Sequence, residues 1–201
     1  MSWLKMKTII NAFKHTKRIL RHKYFVFKYC CKLGIPWQGI THDLSKFSPT
    51  EFIESIKYYQ EGISPIDVAK KEKGYANAWF HHKGRNPHHC EYWTDHYGTK
   101  PSAVQMPDKY VRELIADYIG AAKAYFGEKN FTYKNEIEWW NKKKSTLLLH
   151  PKTEELIDYI FYILDREEKR ENTVFNMLRT VYKNDIYRIL EDNKILIEIR
   201  Y

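Results

Sequence analysis

The chain has 201 residues, with 34 Lys/Arg against 25 Asp/Glu (formal net charge +9), 16% aromatic residues and only eight glycines. That length holds one domain with a real core, and so little glycine argues against an all-β fold built on tight turns. No run approaches the ~18 apolar residues of a membrane span, and Cys30, Cys31 and Cys90 form an odd set without C-x-x-C spacing, which predicts a reduced, cytoplasmic protein.

The first predicted helix runs from about residue 7 to 33, with Ile9, Ile10, Phe13, Ile19, Leu20, Val26 and Tyr29 at helical spacing and Gly34 to stop it. Ile9-Ile10 is followed at once by Asn11 and Lys14, so no signal-peptide core is expected. Residues 1–42 contain nine Lys/Arg and no acid, so the remaining 25 basic residues balance all 25 acids and the whole excess charge belongs to this region. Such a block attracts nucleotides, nucleic acid or an acidic membrane surface, although a solvated helix face explains it equally well. His15, His22 and Tyr29 are seven apart and share one face.

After Gly34-Ile35-Pro36, residues 37–46 (WQGITHDLSK) carry His42-Asp43 on a short helical turn. Ser48-Pro49-Thr50-Glu51 reads as a capped start, with the helix reaching about Gly62. Ser64-Pro65-Ile66-Asp67 repeats the device and opens a helix to Lys83. Asn86-Pro87 is expected to start another, bearing His88, His89, Tyr92 and Trp93; 94–106 reads as a loop. Pro107-Asp108 opens a long helix through Asp117 to Phe126, closed by Gly127. Helices over 132–144, 151–170 and 173–192 follow, and 195–199 is either a short strand or a last helical turn. The prediction is a single all-α domain over 1–201, with a core at about 7–127 and a helical extension at about 128–201.

Neutral imidazoles and carboxylates on helices are how a bundle assembles a metal site. The order helical His22, then His42-Asp43 with Lys46 close by, then helical Asp117 resembles the HD superfamily of metal-dependent phosphohydrolases. The stretches THDLSKFSPTEF, HHKGRNPHHCEYW and MPDKYVRELIADYIGAA are still more similar to an uncharacterised HD-like family of bacterial and phage proteins, over roughly residues 15–126. The resemblance implies an HD-type helical bundle in which His22, His42, Asp43 and Asp117 bind one divalent metal, with His82 and His89 holding a second. On a helix, His81 and His88 would point about 100° away from these. One histidine of each pair packed against Trp79 or Trp93 is the bland alternative. The donor set suits one or two ions of Fe, Mn, Zn, Co or Ni.

Lys46, Arg85 and the first-helix residues Arg18 and Arg21 are the candidates for neutralising phosphate charge, Arg18 standing one turn before His22. An exposed lysine capping a short helix and plain surface charge are their ordinary roles. No Walker, dinucleotide-fingerprint or nucleophile-elbow motif is present. The leading expectation is a phosphohydrolase acting on a nucleotide or other small phosphoester. Alternatives are a metal-containing module that binds nucleic acid or a protein partner through the basic first helix, and an HD-type di-iron oxygenase.

Overall fold

In the computed structural model, which describes residues 3–198, helix α1 spans Trp3–Lys32 and ends where Gly34 takes φ +80°. It has two apolar faces. Ile19, Val26, Tyr29 and Leu33 are buried with His15 and His22, whereas Ile9, Ile10, Phe13 and Leu20 lie exposed. The sequence pattern had pooled both faces into one. Helix α2 (Pro36–Thr41) folds back so closely that a Cβ on Gly39 would sit 2.9 Å from the Phe27 Cα and the Cys30 Cβ.

His42 ends α2, and Asp43 adopts a left-handed conformation (φ 54°) before a 3-10 turn at Leu44–Phe47. Helix α3 (Pro49–Lys57) starts as its sequence demands: the Ser48 hydroxyl accepts from the Glu51 N–H. It stops five residues short of Gly62. The helix expected through Lys83 is two, α4 (Pro65–Lys73) and α5 (Asn77–Lys83), because Gly74 takes φ +81° and turns the chain. No α-helix follows Asn86-Pro87; residues 86–89 form a turn leading into a 3-10 turn at Cys90–Trp93. The expected loop contains an antiparallel hairpin of β1 (Thr94–Tyr97) and β2 (Lys100–Ala103), closed by Gly98 at φ +82°.

Helix α6 (Asp108–Phe126) packs along α1 and has the longest buried face in the molecule's described part. Gly120 makes that approach possible: a Cβ there would lie 2.6 Å from Val26 Cγ2 and 3.0 Å from the Val26 backbone nitrogen. Helices α7 (Tyr133–Lys144, capped by the Thr132 hydroxyl), α8 (Pro151–Arg166), α9 (Glu171–Thr180) and α10 (Arg188–Glu198) complete the chain. The helix expected over 173–192 is thus divided, and 195–198 continues α10 as a helix; residue 199 lies outside the described residues.

The molecule is predominantly all-α, with one two-stranded ribbon among the described residues. Val26 and Tyr29 of α1 and Leu114, Ile115 and Ile119 of α6 share one apolar core with Trp140, Phe161, Phe175 and Leu190. The core therefore runs uninterrupted across the 127–128 boundary. Buried Arg112 ties it: its guanidinium donates to Asp108, to the Leu33 carbonyl (3.3 Å), to the Leu178 carbonyl (2.8 Å) and to the Tyr182 carbonyl. No described helix is long and apolar enough to cross a membrane.

Candidate metal centre

Four donor atoms from three separate segments meet beneath α1. His22 Nε2, from α1, lies 3.1 Å from Asp117 Oδ1 of α6, 3.4 Å from Asp43 Oδ2 and 3.2 Å from His42 Nε2. His42 Nε2 is in turn 3.2 Å from Asp43 Oδ2 and 3.4 Å from Asp117 Oδ1. Donors held about 2.1 Å from a common ion, in tetrahedral or octahedral arrangement, stand about 3.0–3.4 Å apart. The four positions expected from the sequence are brought together at that spacing, all of them buried. The left-handed Asp43 turns two adjacent side chains, His42 and Asp43, into one pocket. A non-glycine residue held there carries of order 1 kcal/mol of strain, a cost found where function fixes the backbone.

Asp43 faces a second group with its other oxygen. Oδ1 lies 3.3 Å from His82 Nε2 of α5 and 3.5 Å from His88 Nε2, and His89 completes the set. Asp43 Oδ1, His88 Nε2 and His89 Nε2 are buried yet make no hydrogen bond. Buried polar atoms are rarely left so; donors aimed at a shared point without hydrogen-bond geometry are what a cation site requires. His82 and His89 are thus brought together beside Asp43. His88 was expected to turn away and instead joins them, because 88–89 sit in an irregular turn to which the 100° helix rule does not apply. His81 does turn away.

A carboxylate stands behind each histidine group. Glu113 Oε1 lies 3.0 Å from His42 Nδ1 and 3.1 Å from His88 Nδ1. Glu51 spans the α5 pair, Oε2 at 2.8 Å from His82 Nδ1 and Oε1 at 2.7 Å from His81 Nδ1. Each fixes the ring so that Nε2 points inward and raises its basicity, the usual support of a metal-bound imidazole. The sequence reading missed both. Glu51 looked like a local helix cap, and Glu113 carries only the faint signal of standing one turn before Asp117 on the same face of α6. Ser45 and Asn86 brace the corner: the Asn86 amide donates to Ser45 Oγ (2.8 Å) and to the His82 carbonyl (2.7 Å).

The charges follow from this crowding. Burial opposes ionisation of Asp43 and Asp117, but the histidines, with Lys46 at Asp43, outweigh it and hold both carboxyls well below the usual range. Burial likewise opposes a proton on His42, yet Asp43, Asp117 and Glu113 raise its affinity well above that of ordinary imidazole. Burial depresses His89, aided by His88 and His82. The site is a set of buried carboxylates among imidazoles, a donor set compatible with a metal ion.

Lys46 Nζ sits 2.6 Å from Asp43 Oδ2, its side chain 27% exposed, so it is the positive group between the buried donors and solvent. Arg18 lies farther along α1. Its guanidinium donates to the Ile63 carbonyl (2.9 Å) and the Tyr59 hydroxyl (3.1 Å), and covers the Tyr59 and Tyr125 rings. Arg85 is exposed at the α5 corner, and His96 is exposed on β1. His15 is buried beside Phe52 and Tyr59, and burial, with Lys46 and Arg18, lowers its pKa to about 4.

No curated protein and no solved structure matches the chain significantly, and no HD superfamily model matches it. A family model matches residues 11–163, a span that includes every residue of the two donor groups and both supporting glutamates. The chain belongs to that family, a family of unknown function (DUF5662).

Proposed function

We propose that this protein is a divalent-metal-dependent phosphohydrolase of the HD type, acting on a small phosphoester such as a nucleotide. The observation that carries the reading is Asp43, whose two oxygens face two separate sets of imidazole donors while Lys46 stands at its solvent side. Mixed imidazole and carboxylate donors favour Fe, Mn, Zn, Co or Ni. A pair of such ions supplies Lewis-acid charge to a phosphoryl oxygen and lowers the pKa of water.

The chain's own residues do the rest. Glu113 and Glu51 hold the rings of His42, His88 and His82 in one tautomer. The α1–α6 contact closes the site over the donors, excluding bulk water so that charges act at low dielectric. Lys46 is the group placed to meet a phosphate: its ammonium, held charged by Asp43 against the opposing effect of burial, is partly open to solvent. Arg18 is turned to the 59–63 segment, whereas Lys46 stands directly at Asp43, which makes Lys46 the better candidate for binding an anion.

The test is a panel of phosphomonoesters, phosphodiesters and nucleoside triphosphates with Mn, Co, Ni and Mg. Turnover by the wild type, with Lys46→Met raising KM at least tenfold while metal content is unchanged, is expected. Absence of turnover across the panel overturns the hydrolase. Oxygen consumption by the iron-loaded protein in place of hydrolysis would establish the oxygenase instead.

A further inference from the structure

Helix α1 presents a second apolar face that no described residue covers. At 100° per residue, Met6, Ile9, Phe13, Leu20, Tyr24 and Phe27 fall within an arc of about 60°, opposite the arc of His15, His22, Val26 and Tyr29 that enters the core. All six are exposed, Phe13 at 73% and Tyr24 at 62%. Where α2 packs beside Phe27, Trp37 (69%) and Ile40 add further exposed apolar surface. Scattered exposed hydrophobics are ordinary, but a continuous stripe along one helix is an interaction surface.

The charges beside the stripe select the partner. Lys17, Arg21 and Lys28 border it on one side and Lys5 on the other, and residues 1–42 contain no acid. Glu61, Glu128 and Glu171, from other elements, pair with Lys14, Lys28 and Lys32; among the described residues no carboxylate pairs with Lys17 or Arg21. A second copy docking stripe to stripe would set cations against cations. A nucleic-acid backbone rewards the charges but has no use for Met, Ile and Leu at the centre. A membrane rich in anionic lipid rewards both: the apolar stripe enters the acyl boundary, the lysines reach the headgroups, and Tyr24 and Trp37 suit the interface.

We infer that the outer face of α1 docks the protein, lying flat, on an anionic lipid surface. This assignment is independent of the reaction proposed for the candidate metal centre, whose one residue on α1, His22, occupies the opposite face of the helix.

Co-sedimentation with phosphatidylcholine vesicles, with and without phosphatidylglycerol, tests it. The full chain is expected to bind the anionic vesicles at least tenfold more tightly than the neutral ones. The double variant Phe13→Glu/Leu20→Glu changes exposed residues only and should fold with an unaltered circular dichroism spectrum and melting temperature, yet lose vesicle binding more than tenfold. Lys17→Glu should weaken it about fivefold or more. Equal affinity for both vesicles, no binding to either, or binding retained by the double variant overturns the proposal. So does a dimer, seen by light scattering without lipid, that the double variant dissociates, because a second copy then covers the stripe. Oligonucleotide binding tighter than vesicle binding and indifferent to the double variant would assign the face to nucleic acid instead.

Discussion

At the residue scale, the position most sharply decided is the second histidine pair. His88 Nε2 points at Asp43 Oδ1, while His81 is turned onto Glu51. His88→Ala should therefore lose one of two bound ions, and His81→Ala should retain both, as read by elemental analysis of each variant after reconstitution. Loss in the second and retention in the first would reverse the assignment. Glu113→Gln removes no donor atom from either group at Asp43 but weakens the grip on His42 and His88. Metal affinity should fall about 10–100-fold, measurable by competition with a chelating dye. The clustering of His22, His42, Asp43 and Asp117 was legible in the sequence because each is a chemically distinctive residue on a recognisable helix or beside one. Glu113 and Glu51 were not, because a buried carboxylate that supports a histidine looks, in sequence, like any helix-surface acid. His88 was misread for a different reason: its orientation depends on a turn whose shape no periodicity announces.

At the element scale, the centre depends on how closely α1 and α6 approach, since they deliver His22 and Asp117. Gly120→Ala pushes a methyl group into Val26, so it should destabilise the protein by about 1–3 kcal/mol in urea unfolding and loosen metal binding in parallel. An unchanged midpoint would show that the helices part without cost. Helix α7 adds a pH dependence through Glu136. Burial, and secondarily Asp117, raises its pKa from an ordinary 4.5 to about 8. The fold thus accommodates the neutral acid: this contribution to stability is complete below about pH 4.5 and is lost as pH rises through 8. In the metal-free protein, Glu136→Gln should melt progressively higher than wild type as pH increases across that window. A constant difference would contradict the assignment. Helix ends marked by a distinctive residue, Ser48 at the start of α3, Pro107-Asp108 and Gly127 at the two ends of α6, were plain in the sequence. Those interrupted by one glycine or by a polar turn were not: an isolated Gly74 is compatible with a continuing helix until packing makes the chain turn.

At the scale of the whole molecule, an acid-rich pocket lies inside a basic chain, and a proton on His42 offsets part of the pocket's negative charge. Asp43, Asp117 and Glu113 raise the proton affinity of His42 despite its burial, so that proton stabilises the metal-free fold below the ordinary imidazole value and is lost only as pH rises through the elevated one. Metal must displace it. Calorimetric titration in two buffers of different ionisation enthalpy should show at least one proton released per chain, with affinity falling as pH is lowered; pH-independent affinity would contradict this. The central claim is that Asp43 joins two metal positions. Its most direct measurement is the metal stoichiometry of wild type and Asp43→Ala after anaerobic reconstitution with Fe(II) or Mn(II). Two ions per wild-type chain are predicted, and none retained by the folded variant, whereas unchanged stoichiometry in Asp43→Ala, or a wild type that holds no metal, would contradict the account.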